Sequence, residues 1–237
     1  MRTERRANKE NIVRNHKVTA WLASPLAGEP PMLDAILGDE LACRLGNKHH
    51  KKTGRWTPVE ELEDLPIPLA FSKIDGYKIC HCSAPILPKP DAEWTDNIAK
   101  RFNSSRIALL ISPEHRKSVM TASGPYKSKF DMVRVRHVSQ VCWFVRGSKE
   151  GFMRLLKAVS SIGAHRGAGY GQVWQWTAEE IEDDYSIFAP CKGKKVLMRP
   201  LPVQCNLDNV CGYRKSFGGW KPPYWHPGMQ VRINTPC

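Results

Sequence analysis

No C-x-x-C pair, no H-E-x-x-H and no G-x-x-x-x-G-K-[ST] occurs in the 237 residues of this chain. The first absence removes the usual zinc ribbons and dithiol redox sites, the second the zinc-protease helix, the third the phosphate loop of NTP-using enzymes. Apolar runs are short, and none approaches the ~18 residues that a membrane span requires. Residues 1–17 are charged (Arg2, Arg5, Arg6, Lys9, Arg14, Lys17) and carry no apolar core of a secretory leader. A reducing, cytoplasmic setting is expected, with no membrane partner and with the eight cysteines as free thiols. Cys80-His81-Cys82 lacks a second pair, and Cys205, Cys211 and His226 are widely spaced. No metal and no cofactor are expected. Acid is also scarce: 23 Asp plus Glu face 36 Lys plus Arg, a net charge of +13. That balance points to an anionic partner, and nucleic acid is the commonest large one.

Glycine is locally abundant. Ser160–Val173 reads S-S-I-G-A-H-R-G-A-G-Y-G-Q-V, with Gly163, Gly167, Gly169 and Gly171 in nine residues. Glycines let backbone amides approach a ligand and permit positive φ. His165 and Arg166 add donors, and Tyr170 adds a stacking face. These parts suit a phosphodiester backbone beside an unstacked base. A dinucleotide fingerprint runs strand, glycines, helix, whereas here the glycines follow a helical pattern, which disfavours that reading. The bland alternative is a tight helix-to-strand connection.

Residues 1–16 read as a basic, flexible tail. Lys17–Leu22 alternates like a strand, and Met32–Leu45 has helical spacing at Leu33, Ile36, Leu37, Leu41 and Leu45. Strand signals follow at 67–74 and 77–83, a helical look at Trp94–Phe102 and a short strand at 106–111. Met132–Arg146 is the strongest β signal, with Val133 and Val135 alternating against Arg134 and Arg136 as an apolar and a cationic face. Ser148 caps a helix predicted to run to Ile162 with Phe152, Leu155, Leu156, Val159 and Ile162 on one stripe. Gln172–Thr177 alternates again. From Tyr185 proline, glycine and tryptophan rise, and an irregular extension is expected apart from a strand at 194–199.

This order, β-α-β then β-α-β, is the split arrangement of ferredoxin-like and RNA-recognition folds. The predicted fold class is α+β: a domain over 17–180, a basic hairpin inserted at about 112–131, and an extension over 181–237. Basic stretches at 44–55, 115–129 and 192–199 extend the cationic surface. Candidate RNA-binding residues are His165, Arg166, Gly167, Gly169, Tyr170, Gly171, Lys127, Lys129, Arg134, Arg136, Lys48, His49, Lys51, Lys52 and Arg55. Trp21, Trp143, Trp174 and Trp176 are expected in the core, whereas Trp220, Tyr224 and Trp225 could stack on bases or anchor a partner. His49, His50, His115, His137 and His165 could act on a 2′-hydroxyl, but nothing in the sequence fixes their geometry, so no catalytic residue is assigned.

The helix followed by I-G-A-H-R-G-A-G-Y-G-Q-V resembles the RAMP superfamily of CRISPR-associated RNA-binding proteins. The segment V-T-A-W-L-A-S-P-L-A-G-E-P-P-M-L-D-A-I-L resembles, more narrowly, the third subunit of type IV CRISPR effector complexes. The resemblance implies a RAMP domain whose inserted hairpin reaches over RNA as a thumb. It implies binding of the 5′ handle of CRISPR RNA and capping of a filament of backbone subunits beside a large subunit, with target DNA as a further candidate partner. Under it His165, Arg166, Gly167, Gly169 and Gly171 face RNA. The alternative is a metal-independent endoribonuclease processing precursor CRISPR RNA, and a third reading is a sequence-tolerant single-strand binder.

Overall fold

The computed structural model of the protein describes residues 12–45, 65–101, 103, 120–123 and 126–237. Strand β1 (Val13–Leu22) begins four residues inside the expected tail, and His16 is already buried in it. Val18, Ala20 and Leu22 alternate with Thr19 and Trp21, so one face of β1 is apolar. After the short β2 (Leu26–Ala27), helix α1 (Leu33–Arg44) covers that face with Leu33, Ile36 and Leu37. A hairpin of β3 (Phe71–Ile74) and β4 (Tyr77–Cys80) follows, then β5 (Ala92–Lys100), β6 (Lys129–His137) and β7 (Gln140–Ser148).

Two readings are corrected here. The helical look of Trp94–Phe102 is overturned: Ala92–Lys100 is a strand, paired antiparallel with β6 so that Trp94 sits opposite Val135. The β run 132–146 is two strands, not one. β6 pairs with β2 and β5, and β7 pairs with β1 in another sheet. The chain turns at Val138-Ser139, where Val138 is buried and Leu22 N–H donates to the Ser139 carbonyl at 2.9 Å. β-Branched residues favour extended backbone on either side of such a corner, so their run does not reveal it.

Ser148 caps helix α2 (Lys149–Leu156), its hydroxyl accepting from Gly151 N–H at 3.3 Å. The helix stops at Leu156, one turn and a half short of the predicted Ile162. Phe152, Leu155 and Leu156 are buried from the helix, whereas Ile162 reaches the same core from an extended segment. Strand β8 (Val173–Ile181) then returns beside β1. The sheet order is β7-β1-β8, all antiparallel, and Leu69, Cys82 and Ile86 add isolated bridges to the outer edge of β7. Trp143, fully buried on β7, donates its indole N–H to the Pro31 carbonyl at 3.2 Å and lies 5.9 Å from the Trp176 ring. Trp174 is 64% exposed and is not a core residue.

The extension is not irregular. It holds β9 (Phe188–Cys191), β10 (Lys194–Leu197), β11 (Leu201–Pro202), β12 (Val210–Cys211), β13 (Tyr213–Gly219) and β14 (Gln230–Pro236) in two small sheets, ordered β12-β10-β9 and β11-β14-β13. Ile187, Leu197, Leu201 and Cys205 form a second buried cluster with Ile79 of the β3–β4 hairpin. Burying each such aliphatic side chain contributes about 1.5–3 kcal/mol. The extension is thus folded onto a hairpin from the first unit. A buried ion pair joins them again: Arg199 Nη2 lies 2.8 Å from Asp34 Oδ2 on α1, and Arg199 also donates to the carbonyls of Cys82 and Trp220. The fold is α+β, dominated by strand. No helix among the described residues is long and apolar enough to cross a membrane.

Candidate nucleic-acid interface

The four glycines of the 160–173 segment divide into two pairs with different jobs. A Cβ on Gly171 would lie 1.9 Å from the Ile162 carbonyl oxygen, and one on Gly163 would lie 2.8 Å from the Ala27 carbonyl oxygen. Both residues also have positive φ, so no other side chain fits. These two are there for close packing, as the bland alternative requires. Gly167 and Gly169 are different: a Cβ on either would meet nothing within 4 Å, although Gly169 shares the positive φ, at 92°. A short 3-10 turn, Arg166–Ala168, holds Gly167, ends at Gly169 and follows His165, which adopts the left-handed conformation at φ 53°.

The packed pair holds the loop against the Ala23–Gly28 segment. Ala164 N–H donates to the Ala27 carbonyl and Gly171 N–H to the Pro25 carbonyl, each at 2.8 Å. Gln172 N–H donates to the Ser24 hydroxyl at 2.9 Å, and Ala23 N–H to the Gln172 carbonyl at 2.8 Å. The A-S-P-L-A-G stretch and the glycine stretch, far apart in sequence, therefore form one clasped unit. Its exposed surface carries Arg166, Gly167 and Ala168. A cleft of about 610 Å³ opens beside it, lined among others by Arg166, Ile36, Glu40, Ser160, Lys221 and Trp225.

The β5–β6 ribbon flanks this unit, and its two arginines are already matched. Arg136 donates to the Gly28 carbonyl at 2.9 Å and pairs with Glu29 at 2.6 Å. Arg134 pairs with Glu93 across the ribbon. The cationic face predicted for 133–136 exists as a face, but each arginine meets a carboxylate. The Tyr170 hydroxyl donates to Asp96 Oδ2. That bond holds the Asp96 carboxyl below its usual range and the phenol above its own. Tyr170 therefore ties the loop to the ribbon. Glu29, Glu93 and Asp96 were missed in sequence because acids scattered through a basic chain carry no local signal.

Lys127 and Lys129 are exposed at the far end of the ribbon. Lys48, His49, Lys51, Lys52 and Arg55 lie outside the described residues, as do 106–111 and half of the expected hairpin insert (112–119 and 124–125). The structure thus gathers His165, Arg166, Gly167, Gly169 and Tyr170 in one place with Arg134 and Arg136 beside them. Gly171 is buried beneath them. Tyr224, considered for stacking, is instead half-buried, its hydroxyl donating to Asp34 at 2.9 Å, and Trp220 packs edge-on against Tyr77 at 5.3 Å. Trp225 remains exposed. Among the described residues no three His, Cys, Asp or Glu side chains converge as a metal site.

No curated protein matches the chain. The family model of the CRISPR type IV associated protein Csf3 matches residues 90–235. That match runs from the β5–β6 ribbon through the glycine loop to the last strand and covers more than half of the sequence, so the chain belongs to the Csf3 family of type IV CRISPR-associated proteins.

Proposed function

We propose that this type IV CRISPR-associated subunit binds the 5′ handle of CRISPR RNA without cutting it and caps the filament of backbone subunits in the cytoplasm. The observation that carries the reading is the clasp between Ala23–Gly28 and the glycine loop. It leaves Gly167 and Gly169 facing open space beside an exposed Arg166. An RNA backbone can approach such a surface closely, with the Arg166 guanidinium on a phosphate and the adjoining cleft available to an unstacked base. The placement of β1 between β7 and β8, with α1 and α2 on one face, supports a ferredoxin-like RAMP domain. In that reading the β5–β6 ribbon is the base of the thumb, and a backbone subunit, the large subunit and target DNA are its neighbours.

His165 is read as a contact rather than a base. Its ring has no hydrogen-bond or ion-pair partner among the described residues, and general base catalysis works best with an oriented imidazole. The test is binding of labelled repeat RNA by the full chain carrying Arg166→Ala with Gly169→Asp, with circular dichroism as the control for folding. Affinity at least tenfold weaker with an intact fold is expected. Unchanged affinity refutes the role of the loop. A single cut in EDTA leaving a 2′,3′-cyclic phosphate, lost in His165→Ala, would replace the binding reading with the endoribonuclease one.

A further inference from the structure

Within the extension, the segment from Tyr185 to Cys237 contains eight Lys and Arg residues and one acid, Asp208, whereas Glu182, Asp183 and Asp184 lie together at the start of the extension. Arg199 is consumed by Asp34, and Asp208 is held by Asn206, whose amide donates to it at 2.8 Å. The remaining positive charge of this segment has no further Asp or Glu within it to meet.

Part of it sits on β13 and β14. Strand alternation places Tyr213, Lys215 and Phe217 on one face of β13, and the antiparallel register sets Arg232 opposite Phe217. Tyr213, Lys215, Phe217 and Arg232 are all exposed, Phe217 at 68%. Neither Lys215 nor Arg232 forms an ion pair among the described residues, and neither does Arg214 beside them, in contrast to Arg134 and Arg136 on the ribbon. Two aromatic rings four residues apart, roughly 13 Å at ~3.3 Å per residue, therefore bracket one unpaired cation and lie next to another. β13 is also the outer strand of its sheet.

We propose that this face of the β13–β14 sheet is a second nucleic-acid site, which takes a single strand by stacking bases on Tyr213 and Phe217 and placing phosphates on Lys215 and Arg232. Aromatic platforms interleaved with cations are the means by which sheets hold single strands without reading sequence. A protein partner is the weaker fit, because the centre of a protein interface is depleted of lysine, and Lys215 stands at the centre of this one. Stacking and phosphate pairing do not separate RNA from DNA. The inference does not rest on handle binding, since it concerns a different sheet from the glycine loop.

The experiment measures binding of fluorescein-labelled oligo(U) and oligo(dT) by the full chain, by anisotropy at several salt concentrations. Phe217→Ala and Tyr213→Ala should each weaken binding by about fivefold or more. Lys215→Gln with Arg232→Gln should flatten the salt slope by about 0.7 per lost charge. The background for all of these is Arg166→Ala with Gly169→Asp, so that loss of the glycine-loop site is not mistaken for loss of this one. Equal losses on oligo(U) and oligo(dT) support a strand-tolerant site, and a loss on one alone assigns that nucleic acid. Unchanged affinity and slope in all variants overturn the proposal, as does a Phe217→Ala protein that binds both oligonucleotides normally but no longer joins its complex. If an aromatic variant shifts the melting temperature, the lysine and arginine variants decide the matter alone.

Discussion

Arg199 and Asp34, 165 positions apart in sequence, meet at 2.8 Å with both side chains fully buried. Asp34 stands in the first turn of α1, and Arg199 follows β10 of the extension. Burial opposes the charge on Arg199, while Asp34 beside it holds the guanidinium well above its ordinary range. The same carboxylate accepts from Tyr224, which also accepts from Arg199 at 2.8 Å. The extension is thus joined to the first helix by a polar network inside an apolar setting.

Removing one partner of that pair leaves the other charged and enclosed. Asp34→Ala or Arg199→Ala should each destabilise the chain by about 3–5 kcal/mol. Asp34→Ala with Arg199→Leu should lose clearly less than the sum of the single changes. Urea denaturation of the three variants checks this, and strict additivity would mean that the pair is not coupled.

Gly171→Ala and Gly167→Ala separate the two classes of glycine. The first drives a Cβ into the Ile162 carbonyl in a left-handed backbone and should cost at least about 2 kcal/mol. The second meets open space and should move stability by no more than about 0.5 kcal/mol. Thermal melts of both variants give the comparison.

Acid should weaken the junction of β4 with the extension. His81 Nδ1 lies 3.0 Å from Asp184 Oδ2, and its Nε2 lies 3.1 Å from the Ser72 hydroxyl. Burial pushes the Asp184 carboxyl up, but hydrogen bonds from His81 and from the Ser186 hydroxyl and backbone N–H outweigh it and hold it well below the usual carboxylate range. A depressed carboxyl adds stability that is present above its unfolded value, about 3.9, and is lost as pH falls below it. Denaturation midpoints at pH 6 and pH 3 should therefore fall further in the native protein than in Asp184→Asn. Equal acid sensitivity would remove Asp184 as the source.

Two arginines that look alike in sequence should behave differently. Arg136→Ala removes the bonds to Gly28 and Glu29 from a side chain only 12% exposed, and should cost about 1–3 kcal/mol of stability. Arg166→Ala should leave stability within about 0.5 kcal/mol while weakening RNA binding. Paired melts and RNA titrations separate the two effects.

Thiol reactivity should follow burial. Cys43, Cys191 and Cys237 are exposed, whereas Cys80, Cys82, Cys142 and Cys205 are buried. Burial, with Asp34 nearby, pushes the Cys82 thiol up to about 12. A thiol reagent at pH 8 should modify the exposed three quickly and the buried four only after denaturation. Mass spectrometry of the native protein reads this directly, and rapid labelling of Cys82 would contradict the packing around Arg199.

Local order was legible wherever one element carried its own signal. The 3.6-residue spacing of Leu33, Ile36 and Leu37, the Ser148 cap, the alternation in β1 and the excess of lysine and arginine all depend on neighbours in sequence, and the structure retains them. The glycine segment announced a special backbone for the same reason, because glycine is needed wherever φ is positive or a carbonyl is close. Tertiary structure alone decided which glycines pack and which stay open, since Gly163 packs on Leu26 and Ala27, more than a hundred residues away, and Gly171 on the Ile162 carbonyl that the fold brings back over it. It also decided that Arg134 and Arg136 are paired while Lys215 and Arg232 are not, because a charge is neutralised by what folds beside it and not by what precedes it. The extension gained its order in the same way, its short strands too weak to signal themselves until the β3–β4 hairpin and Asp34 supplied apolar and ionic partners across the chain.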